Sequence, residues 1–156
     1  MTDTAASAQH AELTTADAVR EVEEQMHMLA GFVRTSVRDA ALSVDPALRP
    51  FGLKVLRTLA RNGPTHASAM ADILFVDRSV ISREARQLEH LGLIELQVDP
   101  EDGRARYLAL TPEATRKPAV TEKLPIFTRL NTWPTEDIHL FATLLERLNN
   151  PAEGTE

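Results

Sequence analysis

Five side chains between Asp77 and Leu91 could bind nucleic acid, because they combine long cations with short hydroxyl groups. They are Arg78, Ser79, Ser82, Arg83 and Arg86. An arginine is long enough for a bidentate contact with guanine, and a serine is short enough to let a helix approach base edges closely. On an arbitrary exposed helix the same arginines would more often form a solvated face, so these residues alone leave both interpretations open.

These side chains require a helix whose opposite face is apolar. Ile81, Ala85 and Leu88 recur at the spacing i, i+4, i+7 that places residues on one helix face. Asp77 is of a type preferred at the N-cap. We therefore predict a helix over residues 77–91 that starts at this aspartate and packs its apolar face inward. Its N-terminus is also favourable next to phosphate.

After Gly92 the pattern changes to that of a β-hairpin. Residues 93–98 and 104–110 are two short extended runs that flank a turn-rich loop ending in Asp-Gly. The second run carries Arg104 and Arg106, which adds two cations close in sequence to those of the helix.

Two further helices precede the basic one. A helix is predicted at about residues 48–60 and a short one at 67–74. Helix, short helix, tight turn, helix and hairpin, in that order, are typical of a winged helix-turn-helix. In such a lobe the third helix enters the major groove of DNA, and the hairpin touches the flanking backbone or minor groove.

The pattern of apolar residues before this lobe predicts one long helix. Its apolar residues recur at spacings of three and four over roughly seven turns. They are Val19, Val22, Met26, Leu29, Val33, Val37, Ala40 and Val44. The apolar surface of this stripe is larger than one small lobe can bury. This favours packing of the helix against a second subunit. An amphipathic helix folded on its own chain is the alternative.

The residues after the hairpin predict helices that proline interrupts. Thr111 and Pro112 suit a helix start, whereas Pro118 and Pro125 must bend or break the helix that follows. A last helix begins near Trp133. Its apolar face consists of Ile138, Phe141, Leu144, Leu145 and Leu148.

Together these patterns predict a mainly α fold with a small β-hairpin. A winged helix-turn-helix lobe is expected beside an α-helical dimerisation lobe. The expected division is a disordered tail at 1–13, a dimerisation helix at 14–45, the winged DNA-binding lobe at 46–114, C-terminal dimerisation helices at 115–150 and a tail at 151–156.

The distribution of charge agrees with this division. The formal net charge is −6, which at first argues against a nucleic-acid partner. Residues 46–116, however, carry ten basic and nine acidic side chains, whereas both flanking segments are acidic. We therefore expect the middle segment to face any phosphate backbone.

Several other function classes are disfavoured. The absence of cysteine removes disulfides, thiolate zinc sites and cysteine nucleophiles. The histidines, none four residues from another, predict no metal site; they are His10, His27, His66, His90 and His139. Without a catalytic motif, neither enzymatic activity nor a cofactor is expected. Without a signal peptide or a long apolar run, we expect a cytoplasmic protein with no membrane partner.

Two runs carry a recognisable pattern, DRSVISREARQLEHLGLIEL at residues 77–96 and DPEDGRARYLALTPEA at 99–114. With them the chain resembles the MarR family of bacterial and archaeal transcription regulators. The matching residues are Asp77, Arg78, Ser79, Ser82, Arg83, Leu88, Glu89, Gly92, Leu93, Ile94, Asp102, Arg104, Leu110 and Thr111.

The resemblance implies a triangular homodimer that binds a short palindrome in double-stranded DNA and acts, as many members do, as a repressor. It implies an ion pair between Asp102 and Arg104 in the wing, with Arg104 reaching the minor groove. It also implies release by a small aromatic or phenolic effector bound between the two lobes. By position alone, the pocket candidates are Met26, His27, Phe51 and Phe127.

The sequence departs from the family pattern in the turn before the basic helix, where Phe75 replaces a frequent glycine. A positive φ there would cost phenylalanine on the order of 1 kcal/mol, so we expect the turn itself to differ slightly. Gln97 replaces a frequent wing arginine, and Ala114 replaces a glycine. The alternative function is a winged-helix module for protein association, whose arginines are merely solvated.

Overall fold

A computed structural model describes residues 14–103 and 105–150; the two predicted tails and Arg104 lie outside the described residues. The helices of the described ranges are α1 (Thr15–Val44), α2 (Pro50–Asn62), α3 (Ala67–Leu74), α4 (Arg78–His90), α5 (Pro112–Thr115), α6 (Pro118–Thr121), α7 (Pro125–Thr128), a 3₁₀ helix (Arg129–Thr132) and α8 (Thr135–Asn149). The strands are β1 (Thr65–His66), β2 (Ile94–Val98) and β3 (Arg106–Leu110). The prediction of a mainly α fold with a small hairpin is confirmed. None of the described helices is long and apolar enough to cross a membrane.

The chain divides into two compact units, the first ending at Arg34 and the second beginning at Thr35. In the first unit, α1 starts at a reciprocal cap. Thr14 Oγ1 accepts a hydrogen bond from Asp17 N at 3.2 Å, and Asp17 Oδ2 accepts one from Thr14 N at 3.3 Å. These two bonds satisfy N–H groups that a helix end leaves free. The Thr14 side chain, followed by its backbone N–H, lowers the pKa of Asp17.

The second unit holds the hydrophobic core. Leu53 and Leu56 of α2, Met70 of α3, and Ile81 and Leu88 of α4 are completely buried. Burial of each such side chain contributes about 1.5–3 kcal/mol to folding. The core therefore holds α2, α3 and α4 together and fixes the direction in which α4 presents its other face.

A three-stranded antiparallel sheet borders these helices, with strand order β1-β3-β2. β2 and β3 form the predicted hairpin, in which Leu96 lies opposite Leu108. β1 is an addition to the prediction, because two residues are too few to show an alternating pattern. It pairs Thr65 with Leu108 and His66 with Tyr107, which makes β3 the middle strand.

Proline determines the C-terminal helices, as predicted. Pro112, Pro118 and Pro125 each lie in the first turn of a four-residue helix, α5, α6 and α7 respectively. Proline suits a first turn because its missing N–H has no helical partner there, whereas inside a helix it breaks the hydrogen-bond ladder. The chain therefore reaches α8 in short steps, and the Trp133 ring lies 5.9 Å from the Phe141 ring of that helix.

The turn between α3 and α4 overturns one expectation. Phe75 has φ 55° and ψ 47°, which is left-handed backbone. We expected the turn to change so that phenylalanine could avoid this conformation. The turn instead keeps the left-handed residue, because hydrogen bonds that end α3 require it.

Candidate nucleic-acid interface

The backbone of Asp77 sets the start of α4. This residue occupies the predicted N-cap position, with φ −67° and ψ 144°. Its carbonyl oxygen accepts a hydrogen bond from Val80 N at 2.9 Å. Its carboxylate accepts no capping bond from the part of the first turn that the structure describes. Asp77 therefore marks where α4 begins, but its side chain does not satisfy the free N–H groups of the first turn.

The inner face of α4 is apolar, as predicted, apart from one carboxylate. Ile81, Ala85 and Leu88 are buried, and Glu84 lies among them with a side chain that is 6% exposed. Glu84 Oε2 accepts a hydrogen bond from Arg49 Nη2 at 2.9 Å. Its Oε1 atom is buried without a hydrogen-bond partner among the described residues. Because a buried carboxylate is costly unless paired, Arg49 ties α4 to the start of α2.

The outer face of α4 carries the residues that the sequence predicts to contact DNA. Arg78, Ser79, Arg83 and Arg86 are exposed, and Ser82 is half-buried. The Ser82 hydroxyl donates to the carbonyl oxygen of Arg78 at 3.0 Å. This bond leaves the oxygen of Ser82 as an acceptor, so its role as a donor to base edges requires the hydroxyl to rotate.

The wing contributes a further cation from β3, where Arg106 is exposed. Asp102 is exposed in the loop between β2 and β3. Because Arg104 lies outside the described residues, its ion pair with Asp102 and its reach toward DNA stay predictions.

A cleft of about 500 Å³ separates α4 from the wing. Arg78, Ser82 and Arg86 line it from α4, and Arg106 lines it from β3. Ser79 and Arg83 are outside the set that lines this cleft. The fold therefore brings three of the predicted arginines to one concave surface, and Glu89 contributes one negative charge to the same lining.

A polar cluster at the base of the wing was missed by sequence reasoning. His66 Nε2 lies 3.0 Å from Asp99 Oδ2, and the His66 ring stacks on Tyr107 with centroids 3.9 Å apart. Asp99 Oδ1 accepts a hydrogen bond from Glu101 N at 2.8 Å, and this bond is the main cause that lowers the pKa of Asp99. Burial, followed by the charge of Asp99, raises the pKa of Tyr107. The cluster joins β1 to β3 and to the loop that follows β2.

A second cleft, of about 450 Å³, lies among α1, α2, α6 and α7 within the second unit. Its lining includes Asp39, Arg57 and Lys123. The Arg57 guanidinium donates to the carbonyl oxygen of Ala119 at 2.6 Å, and burial, followed by the charge of Arg61, lowers its pKa. The cleft thus combines a partly buried cation with both signs of charge at its rim.

The four pocket candidates proposed by position do not line this second cleft. Phe51 packs against the core, and Phe127 is exposed. Met26 and His27 lie in the first unit and are exposed. A ligand site built from these four residues stays a prediction.

Comparison with known proteins identifies the family. A model of the MarR family matches residues 53–105, which include α3, α4, β2 and the loop of the wing. The HTH-type transcriptional regulator YxaD of Bacillus subtilis is 32% identical over 98 residues, which cover 61% of this chain and 68% of YxaD. The chain belongs to the MarR family. The family resemblance stated from the two sequence runs is thereby confirmed, and the protein is a transcriptional regulator of helix-turn-helix type.

Solved structures of MarR-type proteins share the fold. YusO of Bacillus subtilis superposes with a TM-score of 0.62 at 21% identity, covering 89% of this chain and 99% of YusO. The apo form of wild-type MarR from Escherichia coli has a TM-score of 0.58 at 15% identity, covering 81% of this chain and 95% of MarR. At such low identity these structures establish a MarR-type winged-helix fold and leave the site residues to be argued from this chain.

Proposed function

We propose that this MarR-family protein binds a short palindrome in double-stranded DNA as a homodimer and represses transcription in the cytoplasm. The observation that carries the proposal is the arrangement of cations on α4 and the wing. Arg78, Arg86 and Arg106 line one cleft, and Arg83 is exposed on α4. These side chains form a cationic surface in a chain whose net charge is −6.

The cations divide into two proposed roles. Arg83 and Ser79 lie outside the cleft on exposed positions of α4, which suits contact with base edges in the major groove. Arg78, Arg86 and Arg106 border the cleft, where they would bind backbone phosphates and fix the register of the protein on the duplex. Arg104 is proposed, from its position in the wing sequence, to reach the minor groove.

Exposed apolar faces support a homodimer. Val19, Val22 and Met26 of α1 are about half exposed, as are Leu144 and Leu148 of α8. Exposed apolar rows of this kind on two helices are typical of surfaces that pack against another subunit. We therefore assign residues 14–45 and 115–150 to dimerisation and residues 46–114 to DNA binding. Two α4 helices in such a dimer would read half-sites about 34–36 Å apart.

Release by an effector is the regulatory part of the proposal. The second cleft offers Arg57 and Lys123 to a small anionic aromatic molecule, and its position between α1 and α2 links the core of the winged lobe to the long helix. A ligand can lower DNA occupancy only if it binds the free protein more tightly than the DNA-bound protein. A panel of benzoate and phenol derivatives tests this by their effect on an established protein–DNA complex. A panel in which no compound lowers occupancy would remove this part of the proposal.

Binding to the DNA upstream of its own coding region, measured over a range of salt concentrations, tests the DNA proposal. Regulators of this family often control neighbouring genes, so this region is the first choice. Phosphate contacts release counterions, so the affinity should fall steeply as salt rises. Nanomolar binding that survives nonspecific competitor supports a sequence-specific regulator.

A negative result with that region has a defined next step. The protein is then used to select duplexes from a random-sequence pool at low salt. An enriched palindrome would point to a distant operator and retain the proposal. Failure to enrich any sequence would reject specific DNA binding and favour the winged-helix module for protein association.

A further inference from the structure

Phe75 is the most exposed large apolar side chain that the structure describes, with 94% of its surface open. It follows the last residue of α3 and stands three positions before Arg78, the first residue of α4. Its φ of 55° also makes it the one non-glycine residue with positive φ within residues 14–103 and 105–150. Phe75 therefore combines strain in the backbone with full exposure of the ring.

The backbone requires a left-handed residue at this position. Phe75 N donates to the carbonyl oxygen of Asp72 at 3.3 Å, and Val76 N donates to that of Ala71 at 3.0 Å. This pair of bonds is the Schellman motif, which closes a helix only if the residue after it is left-handed. Ala71 and Val76 both pack in the core, so the turn cannot relax without disturbing that packing.

The end of α4 shows what the backbone alone would favour. Gly92 N donates to the carbonyl oxygen of Glu89 at 2.9 Å, and Leu93 N donates to that of Leu88 at 2.9 Å. The motif is the same, and its left-handed residue, with φ 68°, is glycine. Glycine takes this conformation without a steric cost, whereas a residue with a Cβ atom does not.

Burial of the Phe75 ring does not offset this strain in the free protein. A ring that is 94% exposed gains almost nothing from burial. Residues that the surrounding structure holds in strained backbone conformations cluster at active sites, ligand clamps and switch regions. We therefore look outside the chain for the contact that offsets the strain of phenylalanine at this position.

We propose that Phe75 contacts DNA at the edge of the major groove, beside the bases that α4 reads. The inference rests on the proposed function and deepens it. The ring precedes the N-terminal end of α4, and Ile73, in the last turn of α3, adds a second exposed apolar side chain nearby in sequence. The apolar surfaces that double-stranded DNA offers there are thymine C5-methyl groups and deoxyribose carbons. The contact would extend the recognition surface with an apolar element that the arginines lack.

The variant Phe75→Gly tests the proposal because it moves stability and affinity in opposite directions. Glycine relieves the strain, so the urea midpoint of the free protein should rise. Loss of the ring should weaken binding to a duplex selected from a random pool by the wild-type protein, by about 5- to 20-fold. Phe75→Leu keeps an apolar side chain and should retain most of the affinity.

A second duplex separates the two apolar surfaces. It replaces thymine by uracil, which removes the C5-methyl groups. If Phe75 contacts a methyl group, the uracil duplex should weaken wild-type binding but leave Phe75→Gly binding unchanged. If it contacts deoxyribose, the loss caused by Phe75→Gly should be equal on both duplexes.

The Gly92→Ala variant calibrates the strain. A Cβ at Gly92 would meet nothing within 4 Å, so the fall in its urea midpoint measures left-handed strain less the entropy that alanine removes from the unfolded chain. Equal or tighter DNA binding by Phe75→Gly would overturn the proposed contact and leave the DNA-binding function standing. A change in oligomeric mass would overturn it in favour of a protein contact. If the wild-type protein enriches no duplex, the proposed function fails and the contact fails with it.

Discussion

The imidazole of His66 lies between two acceptors, with Nε2 3.0 Å from Asp99 Oδ2 and Nδ1 3.1 Å from the carbonyl oxygen of Arg106. A neutral imidazole donates from one nitrogen only, whereas the protonated ring donates from both. Which of the two ring nitrogens donates depends on the tautomer of His66. The two contacts join β1 to Asp99, the residue after β2, and to Arg106, the first residue of β3. His66 is therefore one residue that fastens the wing to the rest of the lobe.

The variant His66→Phe should loosen the wing without unfolding the lobe. Phenylalanine keeps the stacking on Tyr107, whose ring centroid lies 3.9 Å from that of His66, but donates no hydrogen bond. Amide hydrogen exchange of Tyr107 and Leu108 should accelerate, while that of Leu56 in α2 should stay unchanged. His66→Gln, which has two N–H donors, is the matched control and should exchange more slowly than His66→Phe. Exchange in His66→Phe that is no faster than in the wild-type protein would mean that stacking alone fastens the wing.

Acid should open the wing through Asp99. The hydrogen bond from the backbone N–H of Glu101 is the largest of the causes that lower the pKa of Asp99 below its ordinary value in the folded protein. A carboxylate with a lowered folded pKa contributes stability that is present above its unfolded pKa, about 4, and that is lost as pH falls through the folded value. Exchange-corrected protection of the wing amides should therefore decline below about pH 4. Asp99→Asn should remove this dependence, and a decline of the same size in that variant would assign it to another carboxylate.

Gly52 is expected to resist substitution because α2 and α4 meet there. A Cβ on Gly52 would lie 2.7 Å from Glu84 Oε1 and 2.7 Å from Leu48 Cδ1. Although alanine is the better helix former, Gly52→Ala should lower the free energy of unfolding by about 1–3 kcal/mol through overpacking. In α1, a Cβ on Gly31 would meet nothing within 4 Å, so Gly31→Ala should instead stabilise by about 0.5–1 kcal/mol. Urea unfolding of both variants measures the contrast, which would be absent if the close approach at Gly52 did not matter.

The two proposed classes of arginine should respond differently to removal. Arg83→Ala should cost about 1–3 kcal/mol of binding free energy and relax the preferred sequence, because a base contact is lost. Arg106→Ala should weaken binding to all duplexes alike and reduce the salt slope by about 1, because a phosphate contact is lost. Arg20→Ala removes the same charge from an ion pair in α1 and should change neither property. Selection of preferred sequences with each variant gives the measurement, and an unchanged preference for Arg83→Ala would remove Arg83 from the base-reading set.

A charge on the apolar face of α8 should disrupt the homodimer. Leu144 is about half exposed in the single chain. Leu144→Glu would place a carboxylate in the proposed interface and should shift the protein toward monomer in sedimentation, with weaker binding to a palindrome. Ala142→Glu adds the same charge to the opposite side of α8, where residues two apart diverge, and should leave the mass unchanged. A dimer of undiminished stability in Leu144→Glu would place the interface elsewhere.

Local signals in the sequence predicted most of the fold. Asp77 and Gly92 predicted the ends of α4 to within one residue each, and the apolar spacing between them predicted its buried face. Thr111 caps α5 by accepting a hydrogen bond from Ala114 N at 3.2 Å. α2 begins at Pro50, two residues later than predicted, because proline fits a first turn. These features depend on neighbours in the sequence, which is why the sequence reveals them.

The missed features depend on residues that are distant in sequence. His66 and Asp99 are separated by 33 positions, and Arg49 and Glu84 by 35. Glu84 carried one usable signal, since its spacing from Ile81 and Leu88 places it on the buried face of α4. The pairing of β1 with β3 carried no such signal, because it needs the helices between them to be folded first.

This pairing has a consequence for the order in which the lobe assembles. β2 and β3 can meet across a short loop, whereas β1 reaches β3 only after α3 and α4 have packed and returned the chain to its start. Closing the longer loop costs more entropy, so the hairpin should form early and the bonds of β1 late. The contacts that join the wing to the helix pair are then the last to form during folding, and a partial unfolding event can release the wing while the helices stay packed.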